Sequence, residues 1–438
     1  MRQAHYTAAA STSKGIRLWL EGQKLEQAGF NAGSQYSIQY LQPKKIIMIE
    51  LDPEGARAVT NSKRGGKARP VIDLQNKQVA EMFNDGDRIK ITITDGLLLI
   101  EPHHEDTSKA RREAQFMERV IDGGLQAASM FTGGGVSTEA IHKAISSLGH
   151  TSRTAWVAEL SQKYVESAGQ NCSAIDDETV FLLGRAEEIE RRYFTNVDLL
   201  SFSMPCAGFS KAGKSKHRQD PIEHSGTALF PVITAIQSAN PAVIISENVT
   251  EAQDSPIYSL LRAELKRLGY KVFEQILDST HTDSIENRRR YWLVAISDGI
   301  APSELHLPKV APSGRELANV LESVPEADWR TYSYLNAKAE RDKAAGKGFK
   351  RQLLTGSETR VGTIGRFYAK CRSTEPFITR TKDSKQRLLT PTEHASVKCV
   401  PPYMVAGQCS TTAHEILGQS VDYRQPFKLT KAIFASMF

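Results

Sequence analysis

Cysteine is scarce in this chain. Its five, Cys172, Cys206, Cys371, Cys399 and Cys409, are odd in number and scattered over 438 residues. No two stand in a CxxC spacing, so neither a zinc site nor a redox dithiol is expected, and the metal expectation is none. Such a set suits a reducing cytoplasm with mostly inert thiols. Long apolar runs are also missing: none approaches the roughly 18 residues that a bilayer crossing needs. The N-terminus lacks the apolar core of a secretory signal. Residues 1–15, polar and rich in Ala, Ser and Thr, are read as a flexible tail. What remains, 40% hydrophobic and 24% charged, is the composition of a soluble globular protein, long enough for two or three domains.

The net charge of +6 is unevenly spread. Thr331–Thr390 holds 14 Lys and Arg against 5 Asp and Glu, so the rest of the chain is slightly acidic. A basic segment on a near-neutral body points to a polyanion, with a solvated basic surface as the plain alternative.

Residues 16–104 contain two similar stretches, Ile16–Tyr40 and Pro70–Pro102. Each reads as a short strand, a brief amphipathic helix, a glycine turn and an alternating strand. In the second, Ile89, Ile91 and Ile93 alternate with polar residues, and Asp95-Gly96 turns the chain into Leu97–Ile100, a hairpin signal. Lys63–Gly66 reads as a linker between the copies. The first copy resembles SymE-like proteins and both resemble AbrB-type swapped-hairpin modules. That likeness implies a β-rich module able to dimerise or to bind DNA. Residues 105–124, charged and helix-favouring, read as a linker.

From Leu125 strands and helices alternate. The strands read as Ala127–Phe131, Thr154–Leu160, Val180–Leu183, Val197–Phe202, Ala242–Ser246, Lys271–Leu277 and Tyr291–Ile296. The pattern implies a largely parallel, helix-covered sheet with ligands at the carboxyl ends of its strands. The first strand runs into Phe131-Thr132-Gly133-Gly134-Gly135, where glycine lets a ligand approach the backbone at a helix start. Glu159, 26 residues beyond Gly133, ends the next strand, where a carboxylate can accept ribose hydroxyls; it could equally be a helix N-terminal acid. A buried strand then leads into Ser203-Met204-Pro205-Cys206-Ala207-Gly208. A thiolate in an open loop of small residues is a nucleophile. Glu247, in Glu247-Asn248-Val249, ends the adjacent strand. Thiol and acid together suit attack on an electron-poor ring whose nitrogen the acid protonates. Glu286–Arg290 places Arg288 and Arg290 nearby for phosphate or carboxylate contacts, with Arg289 read as solvated.

In this order the motifs resemble the DNA cytosine-5 methyltransferases over Ala127–Phe438, the variable part excepted. Phe131, Gly133, Gly135, Glu159 and Pro205 match the positions that hold S-adenosylmethionine. Arg387-Leu388-Leu389-Thr390-Pro391 with Glu393 resembles the motif that closes the recognition domain. Leu417–Val421 resembles the C-terminal motif that brings Ser420 and Val421 back to the cofactor. The resemblance implies an α/β, Rossmann-like S-adenosylmethionine-dependent methyltransferase sheet over 125–301. A target recognition domain over 302–386 and a returning segment over 387–438 would complete it. It implies methylation of carbon 5 of a flipped-out cytosine in double-stranded DNA. Cys206 would be the nucleophile, Glu247 the acid, Arg288 a contact to the flipped nucleotide and Arg290 a support for Glu247. Arg366, Tyr368, Lys370, Arg372, Arg380 and Lys382 are the candidates for DNA contact. An accompanying restriction endonuclease and a bacterial, nucleoid-associated or phage setting belong to the same expectation.

The sequence departs from the family pattern at Ser129, Val136 and Ala207. Glu286 replaces a Gln, and Gly184-Arg185-Ala186 stands where an aspartate normally meets the adenine. The rival readings are an RNA (transfer RNA) cytosine-5 methyltransferase and a catalytically inactive DNA-binding regulator.

Overall fold

The computed structural model describes residues 2–64, 67–205, 227–346 and 351–438, and the chain divides into two units, residues 1–111 and 112–438.

The first unit is one pattern built twice. The first half comprises β1 (Gln3–Ala8), β2 (Ala10–Thr12), β3 (Gly15–Glu21), α1 (Gln23–Gln27), β4 (Gln35–Leu41) and β5 (Ile46–Leu51). The second repeats it as β6 (Arg57–Ala58), β7 (Thr60–Arg64), β8 (Lys67–Leu74), α2 (Lys77–Met82), β9 (Arg88–Thr94) and β10 (Leu97–Pro102). The strands form sheets of order β1-β9-β10-β5-β4-β6 and β2-β3-β8-β7. Both orders are palindromes once each strand is matched to its counterpart. The halves also exchange edges: β1 pairs with β9 of the second half, and β6 with β4 of the first. Alternating Ile47, Ile49, Ile89, Ile91, Ile93, Leu98 and Ile100 fill the core between the halves.

Two expectations are corrected here. Residues 1–15 are not a loose tail, because β1 is held in register from Gln3 opposite Ile93 to Ala8 opposite Arg88. An edge strand held by backbone hydrogen bonds with one mostly exposed face carries little apolar signal. Lys63–Gly66 is not the link between the copies: β7 and β8 pair antiparallel up to Arg64 opposite Lys67, and Gly65 and Gly66 lie outside the described residues. The copies meet instead at the turn between β5 and β6, where Gly55 N donates to Asp52 O.

Residues 105–124 are likewise no open linker, since α3 (His104–Asp122) covers nearly all of them. From Arg112 onward it belongs to the second unit. Arg112, Phe116 and Val120, spaced i, i+4, i+8, form its buried stripe. Arg112 donates to Ser297 Oγ (2.8 Å) and Leu268 O (2.9 Å) and lies over the Tyr270 ring.

The second unit is built on seven strands. They are β11 (Leu125–Met130), β12 (Ser152–Glu159), β13 (Val180–Leu183), β14 (Leu199–Phe202), β15 (Val243–Asn248), β16 (Tyr270–Leu277) and β17 (Arg290–Ser297). Their order is β13-β12-β11-β14-β15-β17-β16. The first five run parallel, and β17 runs antiparallel to both neighbours. Strand alternation divides the core between the two faces. Leu200, Ile244, Leu293 and Ala295 pack with α6 (Leu229–Ala239) and α7 (Pro256–Arg267), whereas Leu199, Val243, Ile245, Val294 and Ile296 join the cluster that holds Phe116 of α3. That cluster also takes in Ile141 and Ile145 of α4 (Val136–Ser146); α5 (Gln162–Asn171) follows β12. The strand order reverses between β11 and β14, so the loops after these two strands open a crevice there.

Beyond β17 come α8 (Ser333–Ala344) and a three-stranded sheet of β18 (Gln352–Leu354), β19 (Pro376–Thr379) and β20 (Gln386–Arg387); Leu354 of β18 and Ile378 of β19 share a small core with Leu317, Val361, Ile364 and Tyr368. The chain then returns through α9 (Pro391–Val397), α10 (Ser410–Gln419) and α11 (Arg424–Met437), whose Leu429, Ile433 and Phe434 pack with Phe116. The Arg387–Glu393 motif is the stitch that starts α9. Arg387 holds Glu393 through two bonds of 2.6 and 2.7 Å, Thr390 and Glu393 form a capping box, and Pro391 occupies the first turn. Among the described residues, no helix is long and apolar enough to cross a membrane.

Candidate active site

The loop after β11 is shaped by backbone geometry. Phe131 sits at φ +56°, Gly133 at +56° and Gly135 at +79°. The left-handed region costs a non-glycine residue about 1–2 kcal/mol. At Phe131 that strain is held by its own N–H, 2.7 Å from Ala158 O. A Cβ at Gly135 would lie 3.2 Å from the Cβ atoms of Ala168 and Cys172, so the start of α4 presses directly onto α5. Glu159, at the end of β12, accepts from Gly133 N (2.8 Å) through one oxygen and from Ser161 N (2.9 Å) through the other. The carboxylate thus anchors the glycine loop and stands beside it. Beyond it, Leu160 and, opposite Glu159 on β13, Leu183 are 67% and 49% exposed, an apolar surface at the carboxyl ends of these strands. Gln419, at the end of α10, faces the loop: its buried Nε2 has no hydrogen-bond partner among the described residues and lies 3.7 Å from where a Gly133 Cβ would be. A strand-end carboxylate, an apolar shelf and a buried amide donor around a glycine turn suit a nucleoside cofactor.

The second wall is the end of β15. Glu247 pairs with Arg290 Nε at 2.9 Å through one oxygen and accepts from Ser203 Oγ at 2.6 Å through the other. Both ion-pair partners are largely buried, with side-chain exposures of 12% and 14%. Next in the chain, Asn248 Nδ2 donates to Met204 O at 3.1 Å and fixes the approach to Pro205, which is exposed. Ser129, Phe131, Thr132, Ser203, Glu247 and Trp292 line one cleft. Cys206 lies outside the described residues; Pro205, immediately before it, is at the carboxyl end of β14, next to β15 in the sheet. Neither Ser203 nor Asn248 received a role from the sequence. A hydroxyl just past the end of β14 was the available signal.

Arg288 corrects an expectation. It is 4% exposed and donates to Ile364 O (3.2 Å) and Gly418 O (3.1 Å), beside Glu286 at 3.4 Å. Its guanidinium ties Ile364 to α10. Glu286 is fully buried, pairs with Lys398 at 2.8 Å and accepts from Ile364 N at 2.8 Å. Burial would raise the Glu286 carboxyl, but the charges of Lys398 and Arg288 outweigh it and hold it below its ordinary value. Burial, helped by Arg288, pushes the Lys398 ammonium down to about 7. Ser420 Oγ bonds Leu417 O (2.8 Å), and Val421 is buried in the core with Phe434.

The six candidate DNA contacts separate into two groups. Arg366, Lys370 and Arg372 are exposed and gather over the Phe367 ring at 5.6, 4.8 and 4.5 Å; Lys382 is exposed as well. Tyr368 is fully buried, donating to Pro376 O (2.7 Å) and accepting from Leu389 N (2.8 Å), so it is core. Arg380 is committed within the fold: it holds Glu326 through two bonds of 2.6 and 2.7 Å, pairs with Asp383 and lies over Trp329. Part of the basic excess is therefore spent on folding, with Arg360 on Asp283 and Lys385 on Glu326 adding to it. Burial pushes the Cys399 thiol up to about 12, which suits an inert thiol.

This arrangement of strands is that of known methyltransferases. The S. pombe Dnmt2 methyltransferase superposes with a TM-score of 0.57 at 15% identity, over 72% of this chain and 98% of that one. The Entamoeba histolytica methyltransferase EhMeth gives 0.56 at 15% identity, over 72% and 99%. The sequence narrows the class: residues 126–437 match the C-5 cytosine-specific DNA methylase family, and the chain belongs to it. Among its relatives, the type II methyltransferase M.NlaX of Neisseria lactamica is 26% identical over 51% of this chain and 72% of its own length. M.MspI of Moraxella sp. is 25% identical over 54% of this chain and 56% of its own. Both alignments leave part of the relative unmatched.

Proposed function

We propose that the protein methylates carbon 5 of cytosine within a particular sequence of double-stranded DNA. The observation that carries this reading is Glu247, held by Arg290 and Ser203 in a cleft shared with the Phe131 loop, one strand from the segment that ends in Pro205-Cys206. Glu159 would accept the ribose hydroxyls of S-adenosylmethionine, Leu160 and Leu183 would flank the adenine in place of the missing aspartate contact, and Gln419 would donate to the bound cofactor. When bound, the cofactor supplies an electrophilic methyl group for carbon 5. The chain's own residues do the rest. The Cys206 thiolate adds to ring carbon 6 of a base turned out of the duplex. Glu247 holds ring nitrogen 3 and gives it a proton as negative charge develops there. Once carbon 5 is methylated, loss of its proton, elimination of the Cys206 thiolate and return of the nitrogen-3 proton to Glu247 restore the ring. The exposed Arg366, Lys370 and Arg372 over Phe367 offer the phosphate and base contacts.

Transfer of tritium from labelled cofactor to duplex DNA tests the activity. Label entering only transfer RNA would overturn the DNA assignment. Trapping on DNA containing 5-fluorocytosine tests the mechanism: wild type is expected to form a covalent adduct that Cys206→Ser cannot, and no wild-type adduct would favour an inactive DNA-binding regulator.

A further inference from the structure

We infer that Glu286 and Lys398 are positioning residues that hold the Arg290–Glu247 pair in register with the recognition segment. The inference rests on the proposed reaction and deepens it. Residues 285–288 form a hub where three parts of the second unit meet the catalytic sheet. Glu286 N donates to Val397 O (2.9 Å), next to Lys398 at the end of α9. The Glu286 carboxylate takes Lys398 Nζ at 2.8 Å on one oxygen and Ile364 N at 2.8 Å on the other. Asn287 N donates to Val361 O and Val361 N to Ile285 O, both at 2.8 Å, so the recognition segment is laced onto the hub. Lys398 Nζ continues to Ser420 O (3.1 Å), and Arg288 reaches Gly418 O, which draws in α10. Four residues beyond Glu286, Arg290 opens β17 and grips Glu247.

A carboxylate and an ammonium with no solvent exposure are costly to bury. For stability an apolar pair would serve as well. What the ions add is hydrogen bonding at one point to two further segments, at Ile364 N and Ser420 O, one bearing the cluster around Phe367 and the other Gln419. The Gln that the family pattern places at position 286 can donate and accept but carries no charge. With Glu there, a buried cation becomes necessary; Lys398 supplies it at 2.8 Å, with Arg288 beside it at 3.4 Å. Nothing in the Leu388–Glu393 motif marked Lys398 beforehand.

The test uses the full chain with Glu286→Gln, Lys398→Gln and the double variant. It measures methyl transfer to duplex DNA, with kcat expressed per molecule able to form the 5-fluorocytosine adduct, together with KM for the cofactor. Glu286→Gln leaves the Lys398 and Arg288 charges without their carboxylate, Lys398→Gln leaves Glu286 with Arg288 at 3.4 Å alone, and each is expected to lower kcat about tenfold or more at little-changed cofactor KM. The double variant replaces the ion pair with two amides that can bond each other, Ile364 N and Ser420 O. It is expected to recover kcat to within about threefold of wild type. If Lys398→Gln does not fold, Glu286→Gln, in which Lys398 can shed its proton, and the double variant carry the comparison. A Glu286→Gln protein with wild-type kcat, or a double variant no better than the worse single, overturns the inference. Wild type that transfers no methyl group under any condition overturns the functional reading instead, and this inference with it.

Discussion

Replacing Arg290 by methionine is the most direct perturbation of the cleft, because it keeps the aliphatic stem and deletes only the guanidinium. Glu247 then loses its 2.9 Å partner and keeps the 2.6 Å bond from Ser203. A hydrogen bond to a charged group contributes about 1.5–3 kcal/mol. The pair is largely buried, with exposures of 12% and 14%, so solvent does little to replace it. If the bond fixes the carboxyl where ring nitrogen 3 must meet it, its loss raises the barrier by that amount and lowers kcat roughly 10- to 150-fold. KM for the cofactor should move little, since the Glu159 side of the crevice is untouched. Ser203→Ala, which removes a neutral donor from the same charged carboxylate, should fall at the low end of that range, about 1.5 kcal/mol or roughly tenfold. Single-turnover transfer of labelled methyl to duplex DNA, at saturating DNA, reads both. Arg290→Met with kcat within about twofold of wild type would refute the reasoning, because Glu247 would then be held by something else.

Other consequences are equally open to measurement. Gly418→Ala would drive a Cβ into the backbone of Gly365 and Arg366 and should destabilise the second unit by about 2–3 kcal/mol in urea denaturation; an unchanged midpoint would show that α10 can shift freely. His394 and His414 stack in the core with their Nδ1 atoms 3.0 Å apart, and burial holds His414 down to about 4 and His394 well below its ordinary value. The unfolded chain takes up protons below about 6.5 while the folded chain does not, so stability should fall as pH drops from there towards 4. His414 contributes on the order of 3 kcal/mol to that loss, and His414→Gln should flatten the slope; an equal slope in the variant would refute the assignment. Because the two halves of residues 1–111 already exchange β1 and β6 within one chain, light scattering should give the mass of a single chain; a two-chain mass that vanishes on deleting residues 1–111 would show that the module also pairs between chains.

The sequence by itself determined the parts whose chemistry is local. Strand and helix alternation from Leu125, the glycine turn after β11, Glu159 at a strand end and the Glu247 and Arg290 positions are read from neighbours in the chain, and the repeat in residues 16–104 declares itself by its own periodicity. Tertiary structure decided what depends on partners distant in sequence. An edge strand such as β1 has too few apolar residues to announce itself and is fixed by pairing with β9, from Gln3 opposite Ile93 to Ala8 opposite Arg88. Arg288, Tyr368 and Arg380 look like ligand-binding residues in any local window; only the fold gives them Gly418 O, Pro376 O and Glu326 as partners. A charge carries no mark in sequence of whether it will meet solvent, DNA or a buried counter-ion, and the Glu286–Lys398 pair, 112 positions apart, exists only once the chain has closed on itself.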